Sequence, residues 1–145
     1  MPVSRHVTKS ADETLELGKK TAESLKKGDV VALVGGLGSG KTVFAKGLAL
    51  GLGIKEDLTS PTFTLLRQYQ GRFELCHFDL YRIEDEQELE HIGLYDCAGG
   101  DNVCIIEWAQ HAQRLFPTFC VCFSGSGSDE RAIEIKEGKD AHTGC

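Results

Sequence analysis

The run Gly35-Gly36-Leu37-Gly38-Ser39-Gly40-Lys41-Thr42 constrains this chain more than any other segment. It matches G-x-x-x-x-G-K-[ST] in full, the phosphate-binding loop (Walker A) of nucleoside-triphosphate proteins. The spacing has a chemical reason. A triphosphate needs many donors close together, and glycines let successive backbone N–H groups turn inward around it. Lys41 is then placed to reach the β- and γ-phosphates and the Thr42 hydroxyl to sit on Mg²⁺. The helix that begins here adds the positive end of its dipole. With glycine at about 7% of residues, the four fixed positions match by accident in roughly one chain in two hundred of this length. The flanks sharpen the reading. Residues 29–34 are an apolar run of strand length, and residues 43–52 read as a helix with Phe44, Leu48 and Leu52 at four-residue spacing. Strand, loop and helix follow in the order that the motif needs.

A chain of 145 residues is long enough for one domain with a real core. Its hydrophobic fraction of 41% and charged fraction of 26% are those of a soluble globular protein. The net charge of −6 argues against a broad, autonomous nucleic-acid surface, since such binding rests on Lys and Arg neutralising phosphates. Action on nucleic acid through a partner stays open. No stretch approaches ~18 apolar residues, so no membrane span is expected. Residues 1–6 have no apolar signal core, which predicts a cytoplasmic protein. None of the six cysteines forms a C-x-x-C pair, and Cys76, Cys104, Cys120 and Cys122 lie in apolar strand-like segments. They are expected to be buried, reduced thiols, with no metal site and no disulfide framework.

Ser10, with Glu13 three residues on, marks a helix start. That helix is expected to run to Lys26-Lys27, where Gly28 stops it. Residues 63–70 and 73–79 read as strands, and the acidic residues 84–92 as an exposed helix. Residues 103–107, Val-Cys-Ile-Ile-Glu, are apolar throughout and end in a carboxylate, the pattern of a buried parallel strand. A short helix is expected from Trp108 to Leu115, followed by strands at 119–123 and 132–136. Residues 138–145 are polar and expected to be a disordered tail, leaving 1–137 as the domain.

Phosphate binding alone does not hydrolyse; that needs a metal-holding acid and a group that positions water. Glu107 and Asp79 compete for these roles. Glu107 ends the best buried strand, where ligands gather in open α/β sheets, or else faces solvent. Asp79 ends a more amphipathic strand and either joins the site or pairs with Arg82 at the surface. The preferred assignment puts Glu107 on the Mg²⁺ side, directly or through water, and Asp79 near the γ-phosphate. Thr62 and Ser60 lie in a Pro61-containing loop whose hydroxyls suit either a switch that joins the Mg²⁺ shell or an ordinary turn. No N-K-x-D guanine reader occurs, which weakens a GTPase reading. Trp108 is the sole tryptophan and adjoins Glu107, so it can report on the site.

The loop 36–42, then Ser60-Pro61-Thr62-Phe63, His77-Phe78-Asp79-Leu80-Tyr81-Arg82 and Glu107-Trp108 come in the order and spacing of the TsaE family, also called YjeE. The sequence resembles that family from about Thr14 to about Ile135. The resemblance implies a P-loop NTPase-like α/β domain with a mixed, mostly parallel central sheet flanked by helices. It implies an ATPase of bacterial tRNA threonylcarbamoyladenosine synthesis that binds ATP and Mg²⁺ and hydrolyses ATP slowly alone. Its partners would be the threonylcarbamoyl transferase TsaD and its paralogue TsaB, with tRNA met only through them. Carried over by residue, the nucleotide site comprises Gly36, Leu37, Gly38, Ser39, Gly40, Lys41, Thr42, Thr62, Trp108 and Arg131. The resemblance makes Thr42 and Glu107 metal ligands and Lys41, Asp79 and Glu107 the catalytic set. The family usually has Asp where Gly36 stands, Ala where Ser39 stands and Pro where Ala109 stands. Two rival readings are a small-molecule kinase, which needs an arginine-rich lid not evident here, and an ATP-sensing module without functional turnover.

Overall fold

The segment Val30-Val31-Ala32-Leu33 is apolar at every position because it is covered on both faces and bonded at both edges. The computed structural model describes residues 3–36, 39–56, 66–81, 83, 85–108, 115–125, 130–143 and 145. In it, β2 (Val30–Val34) pairs in parallel with β5 (Asn102–Glu107) on one side and β6 (Phe119–Gly125) on the other. The seven-stranded sheet has the order β1-β7-β6-β2-β5-β4-β3, where β1 is Val3–Thr8, β3 Leu66–Gln70, β4 Glu74–Asp79 and β7 Arg131–Glu137. β4 extends the parallel centre beside β5, whereas β3, β7 and β1 are antiparallel additions at the two ends. The domain is therefore α/β, with a mixed sheet that is parallel at its centre and flanked by helices, as expected.

β1 was not anticipated from the sequence. It pairs with β7 from Val3↔Lys136 to Thr8↔Arg131. An edge strand needs backbone partners on one side only, so Ser4, Arg5 and His6 show little of the apolar alternation that betrays an inner strand.

Helices α1 (Ala11–Ala22) and α2 (Lys41–Gly51) lie together on one face. Ser10 caps α1 by accepting the Glu13 N–H at 3.1 Å, and the Glu13 carboxylate accepts the Lys9 N–H at 2.9 Å. α1 ends at Ala22 rather than at Lys26-Lys27. The Asp29 carboxylate accepts the Lys26 N–H at 2.9 Å and holds a turn there, and Gly28 takes a φ of 94°. The α1–α2 contact is backbone on backbone. A Cβ on Gly18 would collide with the Phe44 carbonyl oxygen, and one on Gly47 with the Leu15 carbonyl oxygen. Beneath the two helices, Leu33, Phe44, Leu48, Leu52, Leu75, Ile105 and Val121 are wholly buried. Each such side chain contributes about 1.5–3 kcal/mol by leaving water. On the opposite face α3 (Glu86–His91), capped by Asp85, and α4 (Leu94–Cys97) place Leu89 and Leu94 over Cys76, Phe78, Cys104 and Ile106.

Two expectations are overturned. Residues Gly138–Thr143 form a 3₁₀ helix rather than a disordered tail, because Ala141 buries completely against Ala32 and Cys120 and the Gly138 N–H donates to the Thr118 carbonyl at 3.0 Å. That turn also brings Cys145 back to β6, where it is disulfide-bonded to Cys122, so the cysteines are not all reduced thiols. The remaining four are free; burial pushes the Cys97 thiol up to about 11 and raises that of Cys120. The helix expected over 108–115 lies mostly outside the described residues. Among the described residues no helix is long and apolar enough to cross a membrane.

The glycine contact is directly testable. Gly47→Ala should cost about 1–3 kcal/mol, seen as a lower urea midpoint at unchanged slope. Gly36→Ala, where an added Cβ meets nothing within 4 Å, should leave the midpoint nearly unmoved.

Candidate functional site

Parallel strands end at one edge of a sheet, and here β2, β4 and β5 deliver their following residues to the same edge. The chain leaves β2 through Gly35, which lies so close to its surroundings that a Cβ would sit 2.7 Å from Ser39 Oγ and 2.9 Å from Phe123 Cβ. Gly40, at φ 101°, is the residue before α2 and offers no side-chain cap, so no cap claims the N–H groups of the first helical turn. Ser39 Oγ is buried without a hydrogen-bond partner among the described residues. An uncapped helix start with an orphaned hydroxyl beside it is an environment that an anion completes. Gly36 is exposed with open space around it. Leu37 and Gly38 lie outside the described residues.

Lys41 opens α2 and is only 6% exposed. Its ammonium sits 4.1 Å from the centre of the Trp108 ring. A cation over an indole face gains about 0.5–2 kcal/mol, more as water is excluded. Trp108 has a φ of 61°, a left-handed conformation uncommon for a bulky residue, and it directly follows Glu107 at the end of β5. The Tyr81 ring packs against the same indole at 4.9 Å between centroids. Thr42 is exposed at the second position of α2.

The two carboxylates are neighbours. Asp79 and Glu107 are register partners at the ends of β4 and β5. Glu107 is 5% exposed, so it does not face solvent. A carboxylate in that position needs a polar partner, and His77 Nε2 lies 2.8 Å from Glu107 Oε2. His77 is itself buried, and its Nδ1 has no hydrogen-bond partner among the described residues. Asp79 is partly exposed; its Oδ1 accepts the Tyr81 N–H at 3.0 Å, while the Leu80 N–H donates to the Glu107 carbonyl at 3.1 Å. These bonds tie the turn after β4 to the end of β5. Arg82, the alternative partner for Asp79, lies outside the described residues.

Arg131 opens β7 opposite Gly125. A Cβ on Gly125 would sit 2.9 Å from Arg131 Cδ, and one on Gly40 would sit 3.8 Å from Arg131 Nε. The arginine therefore lies along the loop at the foot of α2. Lys41, Trp108, Glu107, Asp79, Arg131, Ser39, Gly40, Gly36 and Thr42 all fall at this end of the sheet, whereas Thr62 and Ser60 lie outside the described residues. Sequence reasoning did not assign His77 or Tyr81 to the site. The signal for His77 was its place two residues before Asp79, which puts both on one face of a strand. Replacing His77 by alanine should strand the Glu107 carboxylate in the interior and cost about 1–3 kcal/mol of stability, read as a shift in the urea unfolding midpoint.

The chain is similar to known proteins in sequence and in fold. Residues 8–140 match the family model of threonylcarbamoyl adenosine biosynthesis protein TsaE. The chain is 46% identical over 120 residues to a tRNA threonylcarbamoyladenosine biosynthesis protein TsaE of Treponema pallidum, covering 83% of this chain and 89% of that one. It is 43% identical over 129 residues to the protein of the same name from Bacillus subtilis, covering 87% and 80%. Among solved structures, the crystal structure of Bacillus subtilis YdiB superimposes with a TM-score of 0.77 at 33% identity, over 97% of this chain and 89% of that one. The sheet order, the loop after β2 and the extent of these matches lead to one conclusion: the chain belongs to the TsaE family of threonylcarbamoyl adenosine biosynthesis proteins.

Proposed function

We propose that this chain binds ATP with Mg²⁺ at the Lys41 loop and hydrolyses it slowly. In this reading, hydrolysis supports a TsaD–TsaB threonylcarbamoyl transferase complex in forming threonylcarbamoyladenosine next to the anticodon of tRNA. The observation that carries the reading is the buried Lys41 at an uncapped helix start, at the sheet edge where Glu107 and Asp79 lie side by side. The relatives' names supply the tRNA modification. The residues present suit a bound triphosphate. Among the described residues Ser39 Oγ has no partner, the start of α2 has no side-chain cap, and the Lys41 ammonium lies over the Trp108 indole.

Each side chain then has a task. The Lys41 ammonium leaves the Trp108 face and takes phosphate oxygens, and the first N–H groups of α2 hold the same anion. Thr42 and Glu107 would hold Mg²⁺, which when bound supplies positive charge against the phosphate oxygens. His77 positions the Glu107 carboxylate by its hydrogen bond. Asp79, one strand over, orients the attacking water. Arg131 adds a second cation on the far side of Gly40. Trp108 stays beside the nucleotide.

Phosphate release from Mg-ATP should be slow for the chain alone and rise strongly with a TsaD–TsaB pair and tRNA. Lys41→Ala should abolish that rise. Phosphate appearing on a metabolite instead would make the protein a kinase, and intact ATP binding with no release in either condition would make it a sensing module. Because Trp108 is the sole tryptophan, its emission should shift when Mg-ATP draws Lys41 away, and the shift should vanish in Lys41→Ala.

A further inference from the structure

A third sulfur stands beside the Cys122–Cys145 bond. Cys120 Sγ lies 3.4 Å from Cys145 Sγ, and the three sulfur atoms all fall within 4.8 Å of one another. A disulfide needs two sulfurs, and its formation gives no reason for a third to converge. The convergence is built by the fold. Cys120 and Cys122 are two apart on β6, so both point to the face opposite α1 and α2, while Phe119, Val121 and Phe123 point to the other. The 3₁₀ helix packs on that face through Ala141 and brings Cys145 over the strand. On the neighbouring strand Lys136 is the register partner of Cys120, and Glu134 that of Cys122. The Lys136 ammonium lies 3.7 Å from the Glu134 carboxylate, so an ion pair stands on the strand beside the sulfurs.

We propose that the reduced chain holds one Zn²⁺ through the thiolates of Cys120, Cys122 and Cys145, on the face of the sheet opposite α1 and α2. Zinc–thiolate bonds of about 2.3 Å in tetrahedral geometry place ligand sulfurs about 3.8 Å apart, a spacing that this trio reaches with small rotamer changes. Cys120 is buried and Cys145 exposed, so the fourth position of the metal faces solvent. The disulfide and the metal exclude each other. A dithiol reductant gives two electrons and two protons to the Cys122–Cys145 bond and leaves as its own disulfide; Zn²⁺ then displaces the three thiol protons to water. The site thus couples the seating of the 3₁₀ helix to both metal supply and redox state.

The test uses the full chain, reduced with a non-thiol phosphine and freed of metal. Titration with Co²⁺ should give one equivalent with thiolate-to-cobalt charge-transfer absorption, displaced by Zn²⁺. Cys120→Ser and Cys145→Ser should each weaken Zn²⁺ binding by at least the roughly 100-fold that loss of a mere outer-shell partner can cost. Cys97→Ser, in the separate group of thiols on the α4 side, should leave binding unchanged. Should Cys120→Ser fail to fold, exposed Cys145 decides the matter. No cobalt absorption in the reduced chain overturns the proposal, as does zinc affinity that survives Cys145→Ser or is lost in Cys97→Ser.

Discussion

β2 is hydrogen-bonded along both edges by parallel strands, and this double pairing governs the rest of the molecule. A strand enclosed in that way can continue only past the end of the sheet. The loop after it must therefore open at the edge where β4 and β5 also finish. The register then does the chemical work. Leu33 stands beside Glu107, and Glu107 beside Asp79, so the loop and both carboxylates meet without any long side chain having to reach. Parallel pairing also buries these strands on both faces, so the acid at the end of β5 is carried into the interior.

The direction of α2 depends on a second close approach. Gly18 and Gly47 let α1 and α2 touch backbone to backbone, which presses α2 into line with the loop. The chain of support runs on to the sheet edge. Thr14 of α1 shares a 2.7 Å hydrogen bond with Thr8 of β1, both buried, and Thr14 Cγ2 would lie 3.9 Å from a Cβ on Gly40. The edge strand β1, whose Thr8 is the register partner of Arg131, thus helps hold the start of α2. Overpacking at either glycine moves the helix whose first residue is Lys41.

Polar groups in this interior come in matched or deliberately unmatched sets. Glu107 is satisfied by His77, and the Lys41 ammonium rests on the Trp108 face. Among the described residues Ser39 Oγ and His77 Nδ1 are the exceptions, buried with no partner, and both belong to the same end of the sheet. Orphaned polar atoms are costly and rare in native proteins, and these two lie within the candidate site. The sulfur atoms follow the same logic on the other face, where three of them gather at one point.

Much of this was readable in the chain itself because it depends on residues close in sequence. The apolar strand before the glycine-rich run, the Ser10 cap and the carboxylate at the end of 103–107 are all local patterns, and each stands in the structure where the pattern put it. The resemblance that rests on the HFDLYR and SPTF blocks named the family. What local pattern could not determine was contact across the sheet. His77 meets Glu107 thirty residues away, Lys41 finds Trp108 through a left-handed turn, and Cys145 reaches β6 only because Ala141 found a hollow beside Ala32. β1 escaped notice because an edge strand carries little apolar signal. Sequence alone decided which chemistry the chain carries, through short-range spacing and backbone preference. Tertiary structure decided which groups meet, because register and helix packing are set by the burial of the whole domain.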